Sequence, residues 1–440
     1  MILATTLFII TYLLMLTLPK YRSKVVLLSA SLFIVLGYAG FFPLDFPSAL
    51  RAVDYNVLLM IGGTMGIVTL FIESKMPLRL AEILITKVPN IQLAVTALAL
   101  FAGVISAFVD NVATVLMVAP IGLAISRKLR ISPVPVLIAI AVSSNLQGAA
   151  TLVGDTTSIL LGGFAQMSFF DFFWMQGKPG IFWAVELGAL ASMFILLFLF
   201  RKEKTRITAH VETHVEDGFP TLLLIMTVLL LIVASFLPLP TNPIFAVLYS
   251  LRSGLICIAL CFIGFLRASF LRKSISPWKE LWKDLDKETL LLLFGLFIVI
   301  EGIRAAGVID AIAQLFFHAA GDNPFLLYTL IVFASVFLSA FVDNIPYVAT
   351  MLPVVQSIAA LMNHGAGVPP YVFYFGLLSG ATLGGNLTPI GASANITAIG
   401  ILRKNGEHVR LKDFLKIGVP FTLTAVLIGY VFIWLVWGIS

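Results

Sequence analysis

The chain has 440 residues, of which 60% are hydrophobic and only 11% charged, and its formal net charge is +6. Soluble domains carry about 25% charged residues, so a water-soluble globule is excluded. The pattern indicates an all-α polytopic membrane protein with the lipid bilayer as its solvent. The basic balance does not point to nucleic acid, because Lys and Arg sit in short segments between apolar runs, where membrane orientation demands them.

In chain order, spanning helices are expected near 2–18, 24–42, 55–73, 134–165, 180–200, 219–237, 243–266, 289–306, 371–401 and 414–437. Residues 1–18 lack a basic n-region and a small-residue cleavage site, and Lys20, Arg22 and Lys24 follow them, so they read as a first span. Two more apolar stretches, 91–126 and 324–361, carry Ser106-Ala107-Phe108-Val109-Asp110-Asn111-Val112 and Ser339-Ala340-Phe341-Val342-Asp343-Asn344-Ile345 at their centres. Each is about 36 residues, enough for two half-depth helices and a polar tip. Both therefore read as re-entrant hairpins, with two full spans around a buried Asp as the competing reading. Irregular backbone at that depth is tolerated only inside protein or beside a water-filled cavity.

Charge supports this topology. With both termini outside, almost all of the 28 Lys and Arg fall on one side, the exceptions being Arg51, Lys178, Arg304 and the nearby Arg252. The rich side is the cytoplasm by the positive-inside rule, so the first hairpin opens inward and the second outward.

The halves also align with each other. Asp54, Gly63 and Ala81 match Asp286, Gly295 and Ala313 at one constant offset, and Pro120 matches Pro353. Each half has five crossings, an odd number, so the second is inverted relative to the first. The expected organisation is a first inverted repeat, 1–200 (hairpin 91–126, broken helix 134–165), and a second, 219–440 (hairpin 324–361, broken helix 371–401). The segment 201–218 links them and carries His210 and His214, read as a solvated cytoplasmic loop.

Polar groups inside the apolar runs mark the candidate site. An ionisable side chain at membrane depth costs ~2.5–3.5 kcal/mol on insertion scales and is a functional hypothesis by default. Residues 143–158 and 380–395 are dense in Gly, Ser, Thr and Asn, which should break each helix at mid-membrane. The break frees carbonyls for a cation and helix N-termini for an anion. Two tips facing two broken helices would enclose a pocket of Asp110, Asn111, Thr114, Asn145, Thr151, Gly154, Asp155, Asp343, Asn344, Asn386, Thr388, Gly391 and Asn395. Na⁺ could sit at Asp110, Asn111 and Gly154 and at Asp343, Asn344 and Gly391. Glu186 is a weaker intramembrane candidate. Glu301 and Arg304 lie near a membrane end, Asp54 and Asp286 read as N-caps, and Cys257 and Cys261 read as packing residues.

Phe108-Val-Asp-Asn-Val-Ala-Thr, Val342-Asp-Asn-Ile-Pro-Tyr and Leu383-Gly-Gly-Asn-Leu-Thr-Pro-Ile-Gly-Ala-Ser-Ala-Asn resemble the arsenite-pump and Na⁺/H⁺-antiporter (ArsB/NhaD) branch of the ion transporter superfamily. That branch is similar to the melanosomal P protein and plant silicon-efflux transporters, and its fold is shared with divalent-anion/sodium symporters. The symporters carry Ser-Asn-Thr at the tips, where this chain has Asp110-Asn111-Val112 and Asp343-Asn344-Ile345. Where Gly-Asp-Pro-Pro-Asn is usual, this chain reads Gly154-Asp155-Thr156-Thr157-Ser158, which leaves the part played by Ser158 open. The resemblance implies an elevator-like transport domain and a homodimer.

A tip carboxylate can bind a cation or a proton in turn, and two anionic tips disfavour a dianion that arrives without cations. The expected function is therefore a secondary active, proton-coupled antiporter of the inner membrane that exports arsenite or antimonite. Na⁺/H⁺ antiport and sodium-coupled (di)carboxylate symport are the alternatives. No cofactor is expected beyond the coupling ion, H⁺ or Na⁺. A channel using the tips as a selectivity ring is the competing class. An intramembrane enzyme lacks a Gly-x-Gly-Asp or His-Glu-x-x-His signature. No nucleotide-binding loop is present either, so ATP could act only through a separate ATPase subunit.

Overall fold

The computed structural model describes residues 1–440 except 130, 207–212, 216, 363–369 and 439–440. Arg130 and His210 thus lie outside the described residues. The first half runs α1 (Ile2–Thr17), α2 (Arg22–Tyr38), the short α3 (Phe46–Arg51), α4 (Tyr55–Glu73), α5 (Met76–Thr86), α6 (Ile91–Ser106), α7 (Asn111–Leu129), α8 (Pro133–Gly148), α9 (Thr156–Phe164) and α10 (Ile181–Leu199). A two-residue β-ribbon, Trp174–Met175 with Lys178–Pro179, precedes α10. The second half runs α11 (Phe219–Ser235), α12 (Pro243–Ser250), α13 (Arg252–Arg272), α14 (Ser276–Asp284), α15 (Lys287–Ala305), α16 (Val308–Ala320), α17 (Pro324–Ser339), α18 (Asn344–Met362), α19 (Tyr371–Gly384), α20 (Ser393–Lys404) and α21 (Leu411–Ile433).

Among the described residues, six helices are long and apolar enough to cross a bilayer, or seven if the bent α15–α16 pair counts as one span. The apolar helices α1, α6, α8, α11 and α17 have 16 or 17 residues, near the lower limit for a ~30 Å hydrocarbon core.

The halves are inverted copies, each with a hairpin (α6–α7, α17–α18) and a broken helix (α8–α9, α19–α20). Their outer helices pack between the halves, α2 against α15, α13 against α4 and α10 against α21. Asp54 caps α4 by accepting the Val57 N–H at 3.0 Å, and Asp286 caps α15 by accepting the Thr289 N–H at 3.0 Å. Past these helices the chain bends at Lys75 (φ 59°) and Gly307 (φ 75°), which occupy equivalent left-handed positions. The bend between α15 and α16 is 71°. Glycine adopts that backbone freely, whereas the lysine is strained there.

Several sequence expectations change. The span placed at 243–266 divides at Leu251 into α12 and α13, so the crossing runs Arg252–Arg272. The short helices α3, α5, α14 and α16 were not expected. Three of them start with Pro in the first turn, where its missing N–H costs nothing. The hairpin legs also exceed half depth. At 1.5 Å per residue, α6 and α7 are about 24 and 28 Å long, more than half the ~30 Å of a hydrocarbon core. Part of the linker is docked rather than solvated, since the Ile91 N–H donates to Thr205 O at 3.1 Å and the Gln92 N–H to Glu203 O at 2.9 Å.

Candidate functional site

Each tip aspartate caps the helix that follows it. Asp110 Oδ1 accepts the backbone N–H groups of Val112 (3.0 Å) and Ala113 (3.1 Å), at the start of α7. Asp343 Oδ1 accepts the Ile345 N–H at 3.2 Å, at the start of α18. A helix N-terminus carries unpaired donors and partial positive charge, which stabilises a carboxylate there. In each case the second carboxylate oxygen is left for other work.

The breaks in the transmembrane helices lie against the tips. A Cβ on Gly154 would stand 2.6–2.7 Å from the carbonyl oxygens of Gly148, Ala107 and Ser106; on Gly391, 2.6–2.8 Å from those of Gly385, Ala340 and Ser339. Only glycine fits this approach, and it brings three backbone carbonyls together in each half. Thr151 donates its hydroxyl to Ala107 O, and Thr388 donates to Ala340 O. In the second break Asn395 Nδ2 spans Gly385 O (3.1 Å) and Thr388 O (3.2 Å). Ser158 holds the equivalent place in the first and donates to Gly148 O at 3.4 Å, so the shorter side chain covers one carbonyl where asparagine covers two.

Between the breaks, Asn145 and Asn386 pair across the molecular centre. Asn145 Nδ2 donates to Asn386 Oδ1 (3.1 Å) and Thr382 O (2.7 Å), and Asn386 Nδ2 donates to Val142 O (2.8 Å). Asn111 Nδ2 from the first tip donates to Asn145 Oδ1 at 3.0 Å. Both central side chains are fully buried, and an unmade bond at such a place costs ~1–3 kcal/mol. Asn344 from the second tip donates to Asp155 Oδ2 at 3.3 Å. Asp155 also caps α9, accepting the Thr156 N–H and the Thr157 hydroxyl, both at 2.8 Å. Both tips thus converge on the first break.

A cavity of about 730 Å³ leads to this point. Exposed Lys20, Glu73, Asp284 and Asp286 line its mouth, on the Lys/Arg-rich side of the chain. Thr64, Thr69 and Thr289 line its wall, and buried Asn111, Asp155 and Asn344 with half-buried Asp110 form its closed end. Asp343 takes no part in this lining. Its Oδ2 is 2.8 Å from Nη1 of Arg22, with Asp343 only 9% exposed, and the Ser393 hydroxyl donates to the same oxygen at 3.4 Å. Tyr12, Met15, Leu292 and Pro346 enclose this pair, so the second tip leans on α1, α2 and α15.

Of the residues singled out from sequence, Asp110, Asn111, Asp155 and Asn344 line the cavity. Asn145, Asn386, Thr151, Thr388 and Asn395 bond backbone around the breaks, and Gly154 and Gly391 supply the close approaches. Thr114 is buried inside its own hairpin and donates to Val109 O at 3.4 Å. Glu186 is half-buried on α10, away from the cavity. Glu301 and Arg304 form a 3.9 Å pair. Sequence reasoning missed Arg22, which the charge count assigned to a loop, and the capping role of the tip aspartates. The signals were an arginine opening an apolar run and an Asp directly before one.

Inverted repeats, paired hairpin tips and a cavity ending between broken helices define a polytopic membrane transporter. Residues 12–375 match the family model described as citrate transporter (CitMHS), and the chain belongs to that family. An uncharacterized transporter of Mycobacterium tuberculosis is 29% identical over 99% of this chain and 98% of its own length. The 46 kDa membrane protein of Mycobacterium leprae is 31% identical over 75% of this chain and 74% of its own. The human P protein is 25% identical over 86% of this chain and 53% of its own. The fold is similar to the YdaH transporter of Alcanivorax borkumensis, with a TM-score of 0.59 at 15% identity over 91% of this chain and 87% of that one. It is also similar to MtrF of Neisseria gonorrhoeae, from a class titled antimetabolite efflux pumps, with a TM-score of 0.57 at 16% identity over 94% and 85%.

Proposed function

We propose that this chain is a secondary active carrier whose coupling cation, H⁺ or Na⁺, is held by Asp110 and Asp155. The observation that carries the reading is the closed end of the cavity, where one tip carboxylate meets the carboxylate of the first break with no Lys or Arg paired to either among the described residues. Two such groups attract a cation, and a bound cation or proton makes them mutually tolerable. The family description puts citrate first among the solutes to test. Asp284 and Asp286 add negative charge along the cavity and outweigh Lys20 there, while Glu73 is paired to Arg272 at 2.9 Å, so citrate would have to enter with cations that offset its own charge. The same acidic lining favours a second reading, proton-coupled export of arsenite as the neutral trihydroxide, which avoids that penalty. Uphill movement by either route separates a carrier from a channel.

The test uses everted vesicles holding a pH-sensitive dye, energised and then given Na⁺, Li⁺, arsenite, succinate, citrate or citrate with Mg²⁺. The expected result is collapse of the proton gradient by one solute in the wild type and not in Asp110→Asn. A gradient indifferent to all of them together with no H⁺- or Na⁺-driven uptake of labelled citrate, or an Asp110→Asn variant with full coupled flux, overturns the reading.

A further inference from the structure

We infer that Arg22 and Arg252 are alternating counter-cations: Arg22 neutralises Asp343 in the state seen here, and Arg252 neutralises Asp110 when the cavity faces the opposite side. The inference rests on the carrier reading.

The two arginines occupy equivalent places. Arg22 is the first residue of α2 and Arg252 the first of α13. These two helices cross their partners at equivalent points, since a Cβ on Gly295 would meet Leu27 N at 3.2 Å and one on Gly63 would meet Cys257 C at 2.5 Å. Their starts are tied alike, Ser23 donating to Glu288 on α15 and Gly254 N–H donating to Asn56 on α4 at 2.8 Å. The scaffold is therefore symmetric where the tips are not. Arg22 reaches Asp343, while Arg252 donates to Tyr249 O at 2.9 Å and lies 3.9 Å over the Tyr249 ring, with no carboxylate partner among the described residues. Arg252 and Asp54 line a separate 360 Å³ cavity, the counterpart of the large one lined by Arg22 and Asp286. That smaller cavity stops at Gly162 and Gly163 of α9, because α9 packs on α4. On α20, Ile396 and Thr397 stand open to the large cavity, whereas their counterparts on α9, Ile159 and Leu160, are buried. Exchanging the two repeats' arrangements opens the Arg252 side, closes the Arg22 side and brings Arg252 to Asp110. One tip carboxylate is then free for a coupling cation on each side in turn, and the other is held by a tethered guanidinium.

The test reads cysteine accessibility in proteoliposomes without substrate, with Cys257 and Cys261 replaced by Ala. Thr397→Cys reports the cavity seen here, and Leu160→Cys, its buried equivalent on α9, reports the opposite one. A membrane-impermeant maleimide is applied from each side. In Arg22→Gln the labelling ratio is expected to move about tenfold toward Leu160→Cys, the scale on which loss of one ion pair biases a two-state equilibrium. In Arg252→Gln it is expected to move as far the other way, with Arg22→Lys and Arg252→Lys keeping the wild-type ratio. Adding Asp110→Asn to Arg252→Gln is expected to cause no further shift. If Arg22→Gln fails to fold, the Arg252→Gln arm and its double variant decide. An unchanged ratio in Arg252→Gln, or a shift in the same direction as Arg22→Gln, overturns this inference alone. Failure of Leu160→Cys to label from the opposite side in any variant overturns the carrier reading with it.

Discussion

The two hairpin tips have nearly the same sequence and the same backbone geometry, yet opposite electrostatic surroundings. Asp110 ends a water-accessible cavity and is held by backbone N–H groups alone. Asp343 is locked to Arg22 at the start of α2. The connectors differ in step with the tips, because the first break carries Asp155 where the second has Ala392. Asn344 therefore finds a carboxylate across the site, while Asn111 turns to the central Asn145. The contrast teaches that a repeat protein can hold two copies of one motif in different electrostatic surroundings, provided that something outside the repeat's own motif supplies the difference. Here that is the position of the second hairpin against α1, α2 and α15.

The tip carboxylates give the largest expected effect. Asp110→Asn keeps an N-cap, since Asn caps as well as Asp, but removes the charge. Coupled flux in the vesicle assay is expected to fall at least about 100-fold, the scale for loss of an essential proton-transfer group, with folded yield unchanged. Asp343→Asn is expected to abolish coupling as well and, in addition, to lower stability in detergent. It leaves the Arg22 guanidinium, 25% exposed, without its anion. Breaking a fully buried pair costs ~3–5 kcal/mol, and the solvent at Arg22 reduces this to about 1–2 kcal/mol. Equal melting temperatures for the two variants would erase the contrast between the tips.

The glycines test the symmetry rather than the contrast. Gly154→Ala and Gly391→Ala each push a methyl into three backbone carbonyls, which overpacking puts at ~1–3 kcal/mol or more. Both are expected to lose thermal stability to a similar degree, measured by size-exclusion survival after heating. A tolerated Gly154→Ala beside a ruined Gly391→Ala would show that the breaks are not equivalent. Asn145→Ala leaves the Asn111 amide without its Asn145 acceptor and is expected to cost ~1–3 kcal/mol, read from the same melts.

The smallest effect comes from a control far from both tips. Arg267 Nη1 lies 2.6 Å from Asp217 Oδ2. Burial raises the Asp217 carboxyl, but the Arg267 and Phe219 N–H bonds and the Arg267 charge outweigh it, so the carboxyl sits below its ordinary value of 3.8. A depressed folded value means that the pair's stabilisation is present above the unfolded value and lost as pH falls through the folded one. Both partners are more than a third exposed, so Asp217→Asn is expected to cost only ~0.2–1 kcal/mol at pH 7. The difference from wild type should shrink as pH drops below 4, by melting in detergent.

Composition alone determined that the chain crosses a membrane many times, because no aqueous fold could bury so much apolar surface. The paired Asp-Asn motifs, the glycine-rich breaks and the shared offsets also determined, before any coordinates, that two inverted halves each carry a hairpin and a broken helix. These features are local, repeated and expensive at membrane depth, which is why they stand out in sequence. Only the tertiary structure decided what each polar group does. Asn145 and Asn386 bond one another and backbone carbonyls across the centre, Asp110 and Asp155 close the end of a cavity, and Arg22, read as a loop charge, reaches a carboxylate more than three hundred residues away in the chain. Such pairings depend on how separate helices pack. Pseudo-symmetric sequence leaves both arrangements open, and packing selects one for each half.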